Sequence, residues 1–173
     1  ELVAIFGNFI NRVVVLTNKY YAGIVPNPNE FSQVDEETLV AIKAYPEVIS
    51  SSIERYRFRE AQQELMNLAR LGNKYLADEE PWKVIKVDEA RTQTIMYVAL
   101  QISSALATLS EPFLPFTSTK LKGILCHSAL DAESTWNDVS SKEMLLPAGH
   151  QIGEAELLFS KIEDESIQFQ LEK

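Results

Sequence analysis

The sequence predicts an all-α bundle of about five helices with an irregular C-terminal extension. Apolar residues recur every three to four positions over most of residues 1–125, which is the spacing of helices with one buried face. No stretch of that segment alternates apolar and polar residues as a strand does, and none contains a hairpin dipeptide. With 173 residues, 46% of them hydrophobic, the chain can bury a sizeable core within one domain.

The first helix is predicted over residues 2–21, and Gly23 with the proline-containing loop 24–31 ends it. Its apolar side chains share one face because they are spaced three or four residues apart. They are Leu2, Ile5, Phe6, Phe9, Val13, Leu16 and Tyr20.

The second helix is predicted to begin near Asp35, where the run DEETL gives an acidic first turn, and to be interrupted around Pro46. A proline inside a helix removes one hydrogen bond and clashes with the preceding turn. The serines at 50–52 are the expected boundary to a third helix over 53–77.

Asp78 and Pro81 break the third helical pattern, and the next helix is predicted over residues 88–109. The proline-bounded elbow EPFLPF then leads to a short last helix. Thr117 or Ser118 is the candidate N-cap of that helix, because a hydroxyl can accept from the first free backbone N–H groups.

Residues 126–173 are the predicted irregular extension of the same domain. Pro147, Gly149 and Gly153 separate short apolar pieces, so we expect at most one short strand or hairpin there. The extension is also acidic. It holds 3 of the Lys and Arg residues and 10 of the Asp and Glu residues, whereas residues 1–125 hold 13 and 15. The formal charge of −9 therefore does not exclude a nucleic-acid partner for the helical part.

Other function classes find little support in the sequence. No apolar run is long enough to cross a bilayer, and the first residues do not form a signal peptide. They lack an initiator methionine and begin inside a helical pattern, so we expect a segment of a longer protein. Cys126 is the single cysteine, which is typical of a reducing compartment such as the cytoplasm. Cys126 and His127 are adjacent in sequence, and adjacent side chains rarely face each other as a nucleophile and its base must. The sequence also offers no set of four zinc ligands.

A narrow polar stripe follows the first helix, formed by Asn8, Asn11, Arg12 and Lys19. Asparagine is a mediocre helix former, so the stripe is either an ordinary solvated face or a recognition face. Amides and a guanidinium are the groups that read base edges and phosphates.

A second polar stripe closes the third helix, where Arg70, Asn73 and Lys74 share a face. The run DEEPWKV follows, with Trp82 at a helix junction. This tryptophan either packs into the core or offers its ring to an unstacked base. Two basic, amide-bearing stripes beside an aromatic ring are typical of a surface for single-stranded RNA.

Four runs of the sequence are similar to the C-terminal part of bacterial methionyl-tRNA synthetases. The resemblance covers nearly the whole chain, and the four runs read ELVAIFGNFINRVVVLTNKYY, MNLARLGNKYLADEEPWKV, EPFLPFTSTKL and LLPAGHQIGEAELLFSKIED. The resemblance implies a helical bundle of the class I synthetase anticodon-binding type over residues 1–125. It implies that residues 126–173 are the segment that follows this bundle.

The resemblance also implies roles for five residues. Asn8 and Arg12 match the Asn and Arg that contact the first anticodon base, a cytosine. Trp82 matches the tryptophan on which that cytosine stacks. Lys19 matches a commonly basic position facing the anticodon stem-loop, and Asn73 matches a recurrent polar position near the tryptophan.

Members of this family activate methionine with ATP on a nucleotide-binding fold with HIGH-like and KMSKS-like signatures, where many also hold a structural zinc. This sequence contains neither signature and no glycine-rich phosphate loop. We therefore expect a non-catalytic segment without a cofactor. Its implied partners are the anticodon stem-loop of methionine tRNA and the catalytic domain of the same parent chain, and no membrane is implied.

Two alternatives stay open. A plain protein-interaction bundle could dock a basic partner through its acidic tail, and a Trp82 buried under the bundle would favour it. The anticodon domain of another class I synthetase, such as the cysteine or isoleucine enzyme, is the second. The polar stripe paired with Pro81 and Trp82 argues against that one.

Overall fold

The computed structural model describes residues 1–130 and 135–160 and confirms the all-α prediction. Seven α-helices occur within these residues, and five of them have ten residues or more, as the sequence predicts. They are α1 (Asn8–Tyr21), α2 (Gln33–Glu54), α3 (Phe58–Glu79), α4 (Pro81–Val84), α5 (Glu89–Leu109), α6 (Pro115–Ile124) and α7 (Trp136–Ser141). None of the helices in the described part of the chain is long and apolar enough to span a membrane.

The first predicted helix is continuous but begins as a wider π-helical segment, Leu2–Gly7, that leads directly into α1. Helix α1 ends at Tyr21, and the next residue, Ala22, caps it with a left-handed backbone and a φ of 51°. Its buried face packs on α3 so closely that a Cβ added at Gly72 would lie 2.5 Å from the ring of Phe9. Only a glycine allows the two helices to approach to this distance.

The predicted interruption of the second helix is wrong. Helix α2 runs without a break past Pro46, and the serines at 50–52 lie inside it. Pro46 is buried, so the packing of its ring offsets the hydrogen bond that it cannot donate. The start of α2 lies near the predicted position, because Ser32 and Asp35 form a reciprocal capping box.

The third and fourth predicted helices are confirmed, with shifted ends. Helix α3 ends one residue before Glu80, which is left-handed with a φ of 43°. Pro81 is buried and begins the single turn α4, a position that suits a residue without an N–H. Asp88 then caps α5 by accepting a hydrogen bond from the backbone N–H of Arg91.

Helix α5 is the centre of the bundle, and all residues from Thr94 to Leu109 are buried. The predicted N-cap of the next helix is wrong. Helix α6 begins at Pro115, with Leu114 at the N-cap. The hydroxyl of Ser118 instead donates to the carbonyl oxygen of Ala107 at 2.6 Å and ties α6 to α5.

The described part of the extension packs back onto the bundle. Leu146 and Ile152 are buried, and the side chain of Gln101 on α5 binds the backbone of the first of them. Within residues 135–160 the only β-structure is an isolated antiparallel bridge between Ile24 and Gln151. Helix α7 was not predicted from the sequence. The division of the chain between residues 125 and 126 stays a prediction.

Candidate nucleic-acid interface

The guanidinium of Arg12 lies on the indole of Trp82, with 4.7 Å between its central carbon and the ring centroid. Both side chains are half-buried. The ring of Trp82 also packs against the core at the edge of the bundle. The structure thus brings together a cation and an aromatic face that are 70 residues apart in sequence, in a geometry that favours cation–π attraction.

Asn8 and Lys19 occupy the same helix as Arg12, and both are exposed. Asn8 lies one turn before Arg12 and so shares its face. The Lys19 ammonium lies 5.5 Å from the ring centroid of Tyr20. Neither Arg12 nor Lys19 pairs with a carboxylate among the residues that the structure describes. Their charges are therefore available to an anionic ligand.

Asn73 has a structural connection that its sequence pattern did not predict. Its amide donates to the carbonyl oxygens of Ile5 at 2.8 Å and Ala69 at 3.0 Å. These bonds use both amide hydrogens and join α3 to the π-helical segment before α1. Only its amide oxygen is left to accept a hydrogen bond from an RNA, so the predicted contact of Asn73 narrows to that atom.

The other two members of the second polar stripe are engaged with carboxylates. The Arg70 guanidinium binds Glu1 at 2.9 Å, and the Lys74 ammonium lies 3.8 Å from Asp78. The second pair is exposed and weak. The stripe on α3 therefore carries less free positive charge than the stripe on α1.

A buried ion cluster supports the junction that holds Trp82, and the sequence pattern gave no sign of it. The carboxylate of Asp35 is fully buried and accepts hydrogen bonds from the guanidinium of Arg91 and from the hydroxyl of Tyr75. Arg91 also donates to Glu79 at 2.6 Å. Three elements, α2, α3 and α5, are thus joined just before the left-handed turn at Glu80.

The cluster keeps its charges because each is paired. Burial alone would raise the pKa of Asp35, but the hydrogen bonds from Arg91, Tyr75 and Ser32 outweigh it and hold the pKa below its usual value. The hydrogen bond to Asp35 likewise raises the pKa of Arg91. A buried carboxylate of this kind would be costly without its partner.

The Cys126–His127 pair shows no catalytic geometry. The Cys126 thiol is half-buried, and its nearest polar contact is the carbonyl oxygen of Ile124 at 4.0 Å. His127 is buried against the hydroxyl of Ser104 at 3.1 Å, and burial lowers its pKa to about 4. In the described ranges no group of three or more His, Cys, Asp or Glu residues is placed to hold a metal. The expectation of a segment without a cofactor stays a prediction.

The chain matches a family described as the anticodon-binding domain of methionyl tRNA ligase over residues 25–172. That match leaves out Asn8, Arg12 and Lys19, but similarity to curated relatives covers the whole chain. The methionine–tRNA ligase of Christiangramia forsetii is 71% identical over 175 residues, and that of Flavobacterium psychrophilum is 68% identical over 173. The chain spans about a quarter of the length of these relatives, since it covers 25% of each.

A solved structure shows the same fold. The free methionyl-tRNA synthetase of Mycobacterium tuberculosis superposes with a TM-score of 0.84 over 94% of this chain and 32% of that one. The sequence identity is 22%, so this likeness concerns the fold alone. The family match and the curated relatives favour the first interpretation of the sequence over a plain protein-interaction bundle or another class I synthetase.

Proposed function

The chain belongs to the anticodon-binding domains of methionyl-tRNA ligases, and we propose that it recognises the anticodon stem-loop of methionine tRNA through Asn8, Arg12 and Trp82. The observation that carries this assignment is the stack of the Arg12 guanidinium on the Trp82 ring. A helix residue that donates to base edges and a flat ring for stacking are the two elements that recognition of an unpaired base requires.

In the absence of RNA, the guanidinium covers the face of the indole. A cytosine that stacks on Trp82 must displace Arg12 from the ring, and the displaced guanidinium then lies beside the edge of the base. Its donors can bind the carbonyl oxygen and ring nitrogen of the cytosine. Asn8, one turn earlier, offers an amide to the same base or its sugar. Arg12 thus gives up its contact with the Trp82 ring and gains hydrogen bonds to the cytosine.

Lys19 is proposed to bind a phosphate of the stem-loop. It is exposed, it forms no ion pair with the described residues, and it lies on the same helical face as Asn8 and Arg12. The amide oxygen of Asn73 is the weaker candidate. With few such phosphate contacts and a chain charge of −9, binding should be weak. The slope of log affinity against log salt should then be small, roughly 0.7–0.9 for each contact.

We propose that the parent protein is a methionine–tRNA ligase that uses ATP in a part outside this chain. The segment itself contributes RNA binding and no catalytic residue. The ATP site, and the structural zinc that the family implies, belong to that other part, whose catalytic domain is the intramolecular partner. The cytoplasmic location predicted from the single cysteine is part of the same proposal.

The experiment is a binding titration with four anticodon stem-loops that differ only in the first anticodon base. The wild-type chain should bind the cytosine form most tightly. Arg12→Ala should reduce the discrimination by about 1–3 kcal/mol, because base-edge contacts specify the sequence. Lys19→Ala is the matched control. It should weaken all four complexes by the same factor and lower the salt slope by roughly 0.7–0.9.

Two results would contradict the proposal. One is equal affinity of the wild-type chain for all four stem-loops. The other is an Arg12→Ala variant that weakens the four complexes equally and so behaves as Lys19→Ala should.

A further inference from the structure

Residues 55–59 alternate arginine with aromatic residues, in the order Arg-Tyr-Arg-Phe-Arg, at the turn between α2 and α3. All five are exposed. Tyr56 exposes 82% of its surface and Phe58 54%, and their rings meet edge to face with centroids 6.3 Å apart. Two neighbouring aromatic rings held in solvent are the kind of surface that marks a binding site.

The three arginines are available to an anion. Arg55 and Arg59 form no ion pair with any residue in the described ranges. Arg57 lies 3.6 Å from Glu60, but both side chains are more than half exposed, so this pair is weak. The Glu60 carboxylate also accepts from the hydroxyl of Ser52. The turn therefore concentrates positive charge in a chain whose formal charge is −9.

The backbone, rather than side-chain packing, holds Tyr56 outward. Its φ of 60° is left-handed, a conformation that non-glycine residues seldom adopt. Its backbone N–H donates to the carbonyl oxygen of Ile53 at 2.9 Å. The next N–H, of Arg57, donates to Ser52 at 2.8 Å. A left-handed residue just after a helix is a common C-terminal cap, and Ala22 and Glu80 end α1 and α3 in the same way, so this turn fixes where Tyr56 lies without itself marking a function.

A cavity of about 430 Å³ adjoins this surface along α3, from Arg59 to Arg70. Its polar lining includes the hydrogen-bond donors Arg59, Gln62 and Gln63, and also Arg70 and Glu1, which form an ion pair with each other at 2.9 Å. Guanidinium and amide groups suit phosphate and sugar oxygens. The cavity thus extends the same chemistry beyond the turn itself.

We propose that residues 55–59 and the adjoining cavity form a second RNA-binding surface, which contacts the body of the tRNA outside its anticodon stem-loop. This rests on the proposed function. Helix α3 has 22 residues and is therefore about 33 Å long, so residues 55–59 lie at the opposite end of α3 from Trp82. We therefore expect RNA held by residues 55–59 to lie on the order of 30 Å from the anticodon base at Trp82. The ligand chemistry is a sugar-phosphate backbone held by arginines, with an exposed base stacked on Tyr56.

The experiment compares two RNAs, the complete methionine tRNA and its isolated anticodon stem-loop, with the wild-type chain and two variants. Arg55→Ala/Arg59→Ala removes the unpaired charges, and Tyr56→Gly removes the ring while tolerating the left-handed backbone. Each variant should bind the complete tRNA about tenfold more weakly and bind the stem-loop within about twofold of the wild-type chain. Lys43→Ala removes a cation of α2 that forms no ion pair with the described residues; it is the control and should change neither affinity.

The outcomes separate this inference from the proposed function. If the variants bind the complete tRNA as tightly as the wild-type chain, the surface is not an RNA site, and contact with another part of the parent protein becomes its explanation. If the affinity of the variants falls by the same factor for both RNAs, the proposed contact with the tRNA body is wrong. If the wild-type chain binds neither RNA, the proposed function fails and this inference fails with it. If the stem-loop complex depends on Trp82 but the affinity for the complete tRNA does not depend on residues 55–59, the proposed function stands without this inference.

Discussion

Arg91 donates to Glu79 at 2.6 Å, one residue before the left-handed turn that sets the direction of Trp82. The same guanidinium binds the fully buried carboxylate of Asp35. The position of the tryptophan at the bundle edge is thus tied to the start of α2 and the start of α5 through one side chain.

Arg91→Ala should lower the free energy of unfolding by about 3–5 kcal/mol, because it leaves the carboxylate of Asp35 buried without its partner. Denaturant unfolding measures the change. Lys74→Ala is the matched control, since it breaks an exposed ion pair with Asp78 and should cost less than about 1 kcal/mol. Similar losses in the two variants would show that the buried cluster does not stabilise the fold.

The distance between α1 and α3 depends on Gly72. Gly72→Ala places a methyl group against the ring of Phe9 and should cost about 1–3 kcal/mol of stability through overpacking. Gly123→Ala in α6 is the matched control. No atom lies within 4 Å of its added Cβ, so the better helix propensity of alanine should raise stability by up to about 1 kcal/mol. Thermal melts of the two variants should therefore shift in opposite directions, and a neutral Gly72→Ala would contradict the close packing.

His127 should make stability depend on pH in a defined window. Burial lowers its pKa from 6.5 to about 4, with smaller contributions from Lys122 and His150. The unfolded chain therefore binds a proton that the folded chain does not as the pH falls from about 6.5 to about 4, and stability is lost over that window, by about 3 kcal/mol at most. His127→Gln should remove this part of the slope, whatever its effect on stability at neutral pH.

Asp35 acts in a different pH range. Its pKa is lowered in the folded state, so its stabilising effect is complete above the ordinary carboxyl value of 3.8 and is lost as the pH falls below it. Unfolding free energies measured between about pH 7 and pH 5 therefore report mainly on His127 and little on Asp35. An unchanged slope in His127→Gln would mean that other groups cause the acid sensitivity.

The sequence predicted the helices well where apolar spacing decides them, as in α1, α3 and α5. It failed at Pro46, because burial of the proline in the bundle outweighed the local tendency of proline to break a helix. It also failed at Ser118, whose hydroxyl binds a neighbouring helix and does not cap its own. Both errors arise from tertiary contacts that no local pattern contains.

The candidate site also has some features that the sequence predicts and others that depend on tertiary contacts. Helical spacing placed Asn8 and Arg12 on one face, and the resemblance to a known family joined them to Trp82. Neither could predict that Arg91 and Asp35 meet, because 56 residues separate them and each looks like an ordinary surface residue in sequence. The alternation of arginine and aromatic residues over 55–59 was readable in the sequence, but only the structure shows that the rings are held outside.

The chain has two tryptophans, and both are half-buried, which makes them a matched pair for testing the stacking role of Trp82. Trp82→Ala should weaken binding of the cytosine stem-loop by about 1–3 kcal/mol, the usual contribution of one base–aromatic stack. Trp136→Ala removes an equally large ring from α7 and should leave RNA binding unchanged. Because neither ring is fully buried, each variant should lose less stability than the roughly 3–5 kcal/mol of a core tryptophan.

Fluorescence provides an independent readout of the same prediction. In Trp136→Phe, Trp82 is the remaining tryptophan, so its emission should be quenched when the cytosine stem-loop binds and should change less with a stem-loop lacking that base. The wild-type affinity should persist in this variant. If instead Trp82→Ala and Trp136→Ala lose RNA binding in proportion to their losses of melting temperature, Trp82 serves packing alone, and the base must stack elsewhere.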